Sequence, residues 1–174
     1  MPVSTPSVVY LVTAALHVLS LLLWIGSLVS ITRVLGAADG EADAVRAKLA
    51  STARKIYRAV ASPWMGIAVL TGIVLMLRYP QNWQARSLDM SGTRWLFKQG
   101  FWHTKLLGVV VMLALHFVLG GRVRRAEREG APPGQAATMR GVQIGVLVTA
   151  AVIVMCIYVW RRAIVPGCPP LISG

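Results

Sequence analysis

Carboxylates and cysteines are the scarce residues of this chain. Six Asp and Glu stand against eighteen Lys and Arg in 174 residues, a formal charge of +12. The two cysteines are Cys156, inside an apolar run, and Cys168 in the tail, with neither a CxxC nor a CxxCH spacing. That usage excludes a cysteine zinc site, a thioredoxin-type redox pair and a covalently attached haem. A disulfide is not expected, because Cys156 falls in the lipid zone. The first residues lack a positively charged segment, and the first apolar run far exceeds the core of a signal peptide. It is therefore read as a spanning helix rather than a cleaved leader. No internal repeat or low-complexity domain is present, and the methionines are scattered without the soft-ligand clustering that Cu(I) needs.

Long apolar runs are what the chain has instead. With 56% hydrophobic residues and a mean hydropathy of +0.63, it is too apolar for a soluble core of this size. Four runs, residues 8–32, 57–77, 100–120 and 141–160, each approach the roughly 20 residues that a helix needs to cross hydrocarbon. The expected fold is all-α: one integral membrane four-helix bundle over residues 1–174, with a polar tail at 161–174. The later part of the first connection, GAADGEADAVRAKLASTARK, reads as an outward extension of the second helix. Trp83 and Trp95 in the second connection suit a segment at the membrane interface, and Pro132 and Pro133 break the third.

A charge this basic raises nucleic acid as a partner, but the Lys and Arg sit in short gaps between apolar runs. That distribution points to lipid headgroups and topology instead. Arg33, Arg46, Lys48, Arg54, Lys55 and Arg58 flank the first connection, and Arg122, Arg124, Arg125, Arg128 and Arg140 the third, eleven basic residues against six on the opposite side. The expectation is a multi-pass protein with both termini outside and the first and third connections cytoplasmic.

Within the first run, Thr13, His17, Ser20, Trp24 and Ser27 fall on one stripe at about 100° per residue. Interhelical hydrogen bonding explains the hydroxyls; a histidine inside a membrane asks for more. Pro63, Gly66 and Gly72 on the second helix allow close approach of a neighbour or of a flat cofactor. Gly141, Gly145, Gln143 and Thr149 make the last helix mainly a packing partner.

The stretch FWHTKLLGVVVMLALHFVLGGRVRR, Phe101 to Arg125, carries His103, Lys105 and His116 in or beside an apolar run. Ionisable side chains there are costly enough to mark a functional site. A six-coordinate haem iron takes ligands from opposite faces of the macrocycle, so two helices must present them at similar depth. At about 1.5 Å per residue, His17 lies about 24 Å from the level of Arg33. By the same rise, His103 lies about 28 Å, Lys105 about 26 Å and His116 about 9 Å from the level of Arg122. His17 and His103 match in depth, while His116 is separated from His103 by about 220° of rotation. For His116 an interhelical hydrogen bond stands beside a separate pocket, a proton path or a second porphyrin. For Lys105, snorkelling to headgroups stands beside pairing with a porphyrin propionate.

Taken in order, LHVLSLLLWIGSLVSITRVL, then Tyr57 with SPWMGIAVLTG, then WHTKL followed by ALHFVLGGRV, resemble the HemJ family of membrane protoporphyrinogen IX oxidases over about three of the four helices. The resemblance implies an inner-membrane protein that binds haem b non-covalently and oxidises protoporphyrinogen IX to protoporphyrin IX, passing electrons to quinone. It carries over His17, His103, His116, Lys105, Arg33 and Arg122 as functional positions; with the depth match, His17 and His103 are the expected iron ligands, Trp24 and Arg122 the expected further cofactor contacts, and His116, Lys105 and Arg33 the expected catalytic positions. Two places depart from the family pattern. Val34, Leu35 and Gly36 stand where a Tyr-His pair is usual, and MRGVQIG stands where the last helix usually opens with Asn-Glu-x-Pro, so proton handling by those groups has no counterpart here. A broader resemblance, to CopD-like copper-resistance membrane proteins, rests on the histidine-bearing first helix with W-x-G and the later K-L helix. The other readings are therefore a non-enzymatic b-type cytochrome subunit and a copper-handling protein. So few helices enclose a haem poorly, which makes homo-oligomerisation the expectation.

Overall fold

The computed structural model describes residues 8–77, 100–130 and 134–164, without the side chains of 100–102 and 156–164. The interfacial tryptophans Trp83 and Trp95, Cys168 and the polar tail beyond 164 lie outside the described residues, as does the side chain of Cys156. Five α-helices follow in order: α1 (Val8–Ala37), α2 (Asp43–Ile56), α3 (Ser62–Leu77), α4 (Gly100–Glu129) and α5 (Gln135–Ile164). A π-helical turn, Tyr57–Ala61, joins α2 to α3 without a break, so they form one helix, Asp43–Leu77. Four helices are thus long and apolar enough to cross a membrane, and no strand occurs among the described residues.

Every helix outruns the apolar window that announces it, because hydropathy fades at the headgroups while backbone hydrogen bonding does not. The polar segment Asp43–Ile56 is helical, as an extension of the second run. The third run does not stop at Gly120 and Gly121; it continues through its arginines to Glu129. These two extensions pack on each other, with Ala50 and Ala53 buried on one and Val123 and Ala126 on the other, and Arg54 paired with Glu127.

The arrangement around α1 decides where a site can form. α1 packs along α3 on one side and α5 on the other; α4 packs on α5 and, through its second half, on α2. α3 and α4 have at most a marginal approach. The bundle is consequently closed toward its basic end, where Leu28, Ile31, Leu35, Leu119 and Val123 are fully buried. Toward the opposite end α3 and α4 do not meet among the described residues, which leaves an opening between them there. Val8, Val9, Val12, Leu22, Leu70, Leu107 and Val110 are exposed, as lipid-facing positions in a membrane span should be.

The basic end is also tied by a long-range cap. Gly40, with φ of +82°, turns the chain after α1, and Asp39 on that turn accepts hydrogen bonds from the backbone N–H of Gly134 (3.0 Å) and Ala136 (3.2 Å). Those are donors that the first turn of α5 cannot pair within the helix, and a carboxylate also complements the helix dipole there. We expect Asp39→Ala to lower stability by about 1 kcal/mol, the usual value of a lost N-terminal cap. Thermal unfolding in detergent measures it, and an unchanged midpoint would show that the cap contributes nothing.

Candidate functional site

The predicted stripe on α1 separates into two kinds of residue. The hydroxyls of Thr13, Ser20 and Ser27 bond back to carbonyls of their own helix, at Val9, His17 and Trp24. They reach no other helix, because a short hydroxyl is satisfied three or four residues earlier on its own backbone. His17 and Trp24, which are longer, cross to neighbours.

His17 crosses to α3. Its Nδ1 lies 3.0 Å from the carbonyl oxygen of Ala68 and 3.0 Å from Thr71 Oγ1, while the Thr71 hydroxyl donates to the Ile67 carbonyl at 2.7 Å. A carbonyl can only accept, so Nδ1 carries the hydrogen and Nε2 keeps the lone pair. Gly72 makes this possible, since a Cβ there would stand 3.0 Å from His17 Cε1. The imidazole is half-buried, and Lys105, near the start of α4, is the charged side chain whose field reaches it. His17, held against α3, and Lys105, on α4, thus belong to the two sides of the bundle that do not meet.

Trp24 crosses to α4. Its indole N–H donates to His116 Nδ1 at 3.2 Å, and His116 Nε2 lies 3.0 Å from the Tyr57 hydroxyl. Indole is a donor only, so Nδ1 of His116 accepts and Nε2–H donates to Tyr57. The rings pack as well as bond: Tyr57 stacks on His116 at 4.9 Å, and Trp24 meets it edge-on at 6.0 Å. His116 is 1% exposed, so both nitrogens are satisfied where water does not reach.

Tyr57 is absent from the site residues that sequence reasoning names, although it belongs to the quoted motif. It sits at the first position of the π turn, where Ser62 N–H donates to the Tyr57 carbonyl, five residues back. Pro63 supplies a reason: it has no N–H to give Ala59, and its ring crowds that carbonyl, so the turn before it widens. Gly120 supplies the space, because a Cβ at Gly120 would overlap the Tyr57 ring and hydroxyl. The proline and the glycine pair were visible in the sequence; their convergence on one tyrosine was not.

The two histidines thus occupy separate levels. His17 and Trp24 are seven residues apart on α1, about 10 Å along the axis. His103 is exposed, and the structure does not bring it into contact with His17. Arg33 lies 16 residues beyond His17, about 24 Å along α1, in a cleft with Arg140 rather than near either histidine. Arg122 is partly exposed on the basic continuation of α4 and makes no ion pair among the described residues. No cluster of three metal-ligating side chains occurs among the described residues.

Two curated relatives are similar over most of the chain. A protoporphyrinogen IX oxidase of Helicobacter pylori strain ATCC 700392 / 26695 is 30% identical over 123 residues, covering 69% of this chain and 74% of the relative. The chain belongs to the HemJ-like protoporphyrinogen IX oxidase family. A second family member, from Helicobacter pylori strain J99 / ATCC 700824, is 29% identical over 131 residues, 74% of this chain and 78% of the relative. No family model and no solved structure matches.

In this HemJ-like chain the Tyr57, His116 and Gly120 packing has a direct consequence. Gly120→Ala must drive the Tyr57 hydroxyl off His116, and we expect it to destabilise the bundle by about 1–3 kcal/mol, as overpacking does. Denaturant or thermal unfolding of the purified variant measures this, and wild-type stability would show that Tyr57 is not held there.

Proposed function

We propose that this chain is a membrane oxidoreductase that converts protoporphyrinogen IX to protoporphyrin IX, using haem b held at the His17 level. The observation that carries the reaction is membership of a family whose curated relatives bear that activity in their names. What the structure adds is the state of His17.

A histidine that ligates iron normally donates its other ring N–H to a carbonyl or carboxylate, which fixes the tautomer and orients the ring. His17 has that arrangement, with Nδ1–H committed to Ala68 and Nε2 left as the donor atom. His17 therefore fits a haem, with His103 as the second ligand by depth and Lys105 placed to pair with a propionate. Bound haem b would supply an electron acceptor for the macrocycle, with quinone as the onward acceptor. The open side between α3 and α4 is where a flat porphyrin would enter from the hydrocarbon, and a second copy of the chain would close it.

His116 receives a different role. A proton cannot pass through its ring from Nε2 to Nδ1 while the Trp24 indole donates to Nδ1. His116 and Tyr57 therefore act as positioning residues, holding α1, the second helix and α4 in register below the opening. By distance, Arg33 acts elsewhere.

The test is complementation of a bacterial strain lacking its protoporphyrinogen oxidase. The wild-type chain and an Arg125→Gln control are expected to restore growth, while His17→Ala and Lys105→Met lower it at least about tenfold, the scale of losing one functional group. Failure of the wild-type chain with normal haem loading would favour a non-enzymatic b-type cytochrome.

A further inference from the structure

At the basic end of the bundle, the last turns of α1 and the first turns of α5 leave a cleft of about 290 Å³, lined by Arg33, Gly36, Ala136, Arg140 and Gln143 among others. Gly36 keeps its floor low, where α1 passes close to Met139. No carboxylate engages either cleft arginine among the described residues. Arg46, Arg54 and Arg125, by contrast, each pair with one, at Asp43, Glu127 and Glu129. Asp39, on the turn after α1, has both oxygens on the backbone N–H groups of Gly134 and Ala136. Two exposed arginines thus line one partly open cleft with no carboxylate of their own among the described residues. Each presents planar N–H donors suited to phosphate or carboxylate oxygens.

What lies beyond the cleft narrows the ligand. One and two turns along α5 from Arg140, on the same face, come Ile144 and Leu147, 61% and 48% exposed. Such apolar positions, exposed in a membrane span, face acyl chains. The surface therefore passes from cationic to apolar over about 10 Å, a gradient that a free anion does not need and a phospholipid does. We propose that this cleft binds the phosphate head group of an acidic phospholipid, with its acyl chains along Ile144 and Leu147. Basic pockets between spanning helices recognise anionic head groups by this chemistry.

Native mass spectrometry of the purified full chain, titrated with phosphatidylglycerol or phosphatidylcholine, tests it. Wild type is expected to retain phosphatidylglycerol in preference. The Arg33→Gln/Arg140→Gln double variant should lose that preference by about thirtyfold, since each basic residue at an anionic surface contributes roughly fivefold. Ala136→Leu, which fills the cleft and alters no charge, should also lower it, and Arg125→Gln should not. Retention unchanged in the double variant, or reduced equally by Arg125→Gln, would overturn the proposal. So would displacement of the lipid by equimolar inorganic phosphate, which would make the ligand a free anion, or by protoporphyrin, which would make this a porphyrin propionate site. Circular dichroism of each variant confirms that the helices persist.

Discussion

The hydrogen bond from the Trp24 indole to His116, continued from His116 to Tyr57, is the interaction on which the rest of the bundle depends. In hydrocarbon a buried imidazole has no water to turn to, and an unsatisfied ring nitrogen costs about 1–3 kcal/mol. Satisfying both nitrogens requires three helices to meet at one depth. The indole comes from α1, the phenol from the π turn of the second helix, and the imidazole from α4. Pro63 widens that turn and Gly120 leaves space for the ring. Below this point the helices close on Leu28, Leu119 and Val123; above it α3 and α4 diverge.

The divergence gives His17, half-buried, and His116, fully buried, opposite chemistry. His116 has both nitrogens committed, which makes it a fixed structural centre. His17 has one nitrogen committed to a backbone carbonyl and the other left as a lone pair at the edge of an opening. Rotation and depth on the helices account for the difference. On the proposed function this opening has a use, because a wide, flat and largely apolar porphyrin would enter between helices rather than through a loop.

Much of this was legible in the sequence. Four apolar runs announced four spanning helices, the 100° stripe put His17 and Trp24 on one face, and the 1.5 Å rise separated His17 from His116 in depth. The polar helix Asp43–Ile56 was legible because an amphipathic segment adjoining an apolar run keeps the helical period. Other features were not legible. A π turn shifts every following side chain by about one residue, so the regular period could not bring Tyr57 onto His116. The Gly120–Gly121 pair looked like a helix end, yet Gly120 is a cavity for an aromatic ring; a glycine in a supported helix interior serves close packing as readily as termination. The pairing of Arg33 with Arg140 required the last helix to lie against α1, which no local pattern in the chain specifies.

On the proposed function the two histidines are not interchangeable: His17 offers a ligand and His116 does not. The reduced-minus-oxidised absorption spectrum of the purified chain tests this most directly. The account predicts a haem b signal in the wild type, its loss in His17→Ala and its retention in His116→Ala. Loss of the signal in His116→Ala with retention in His17→Ala would contradict it.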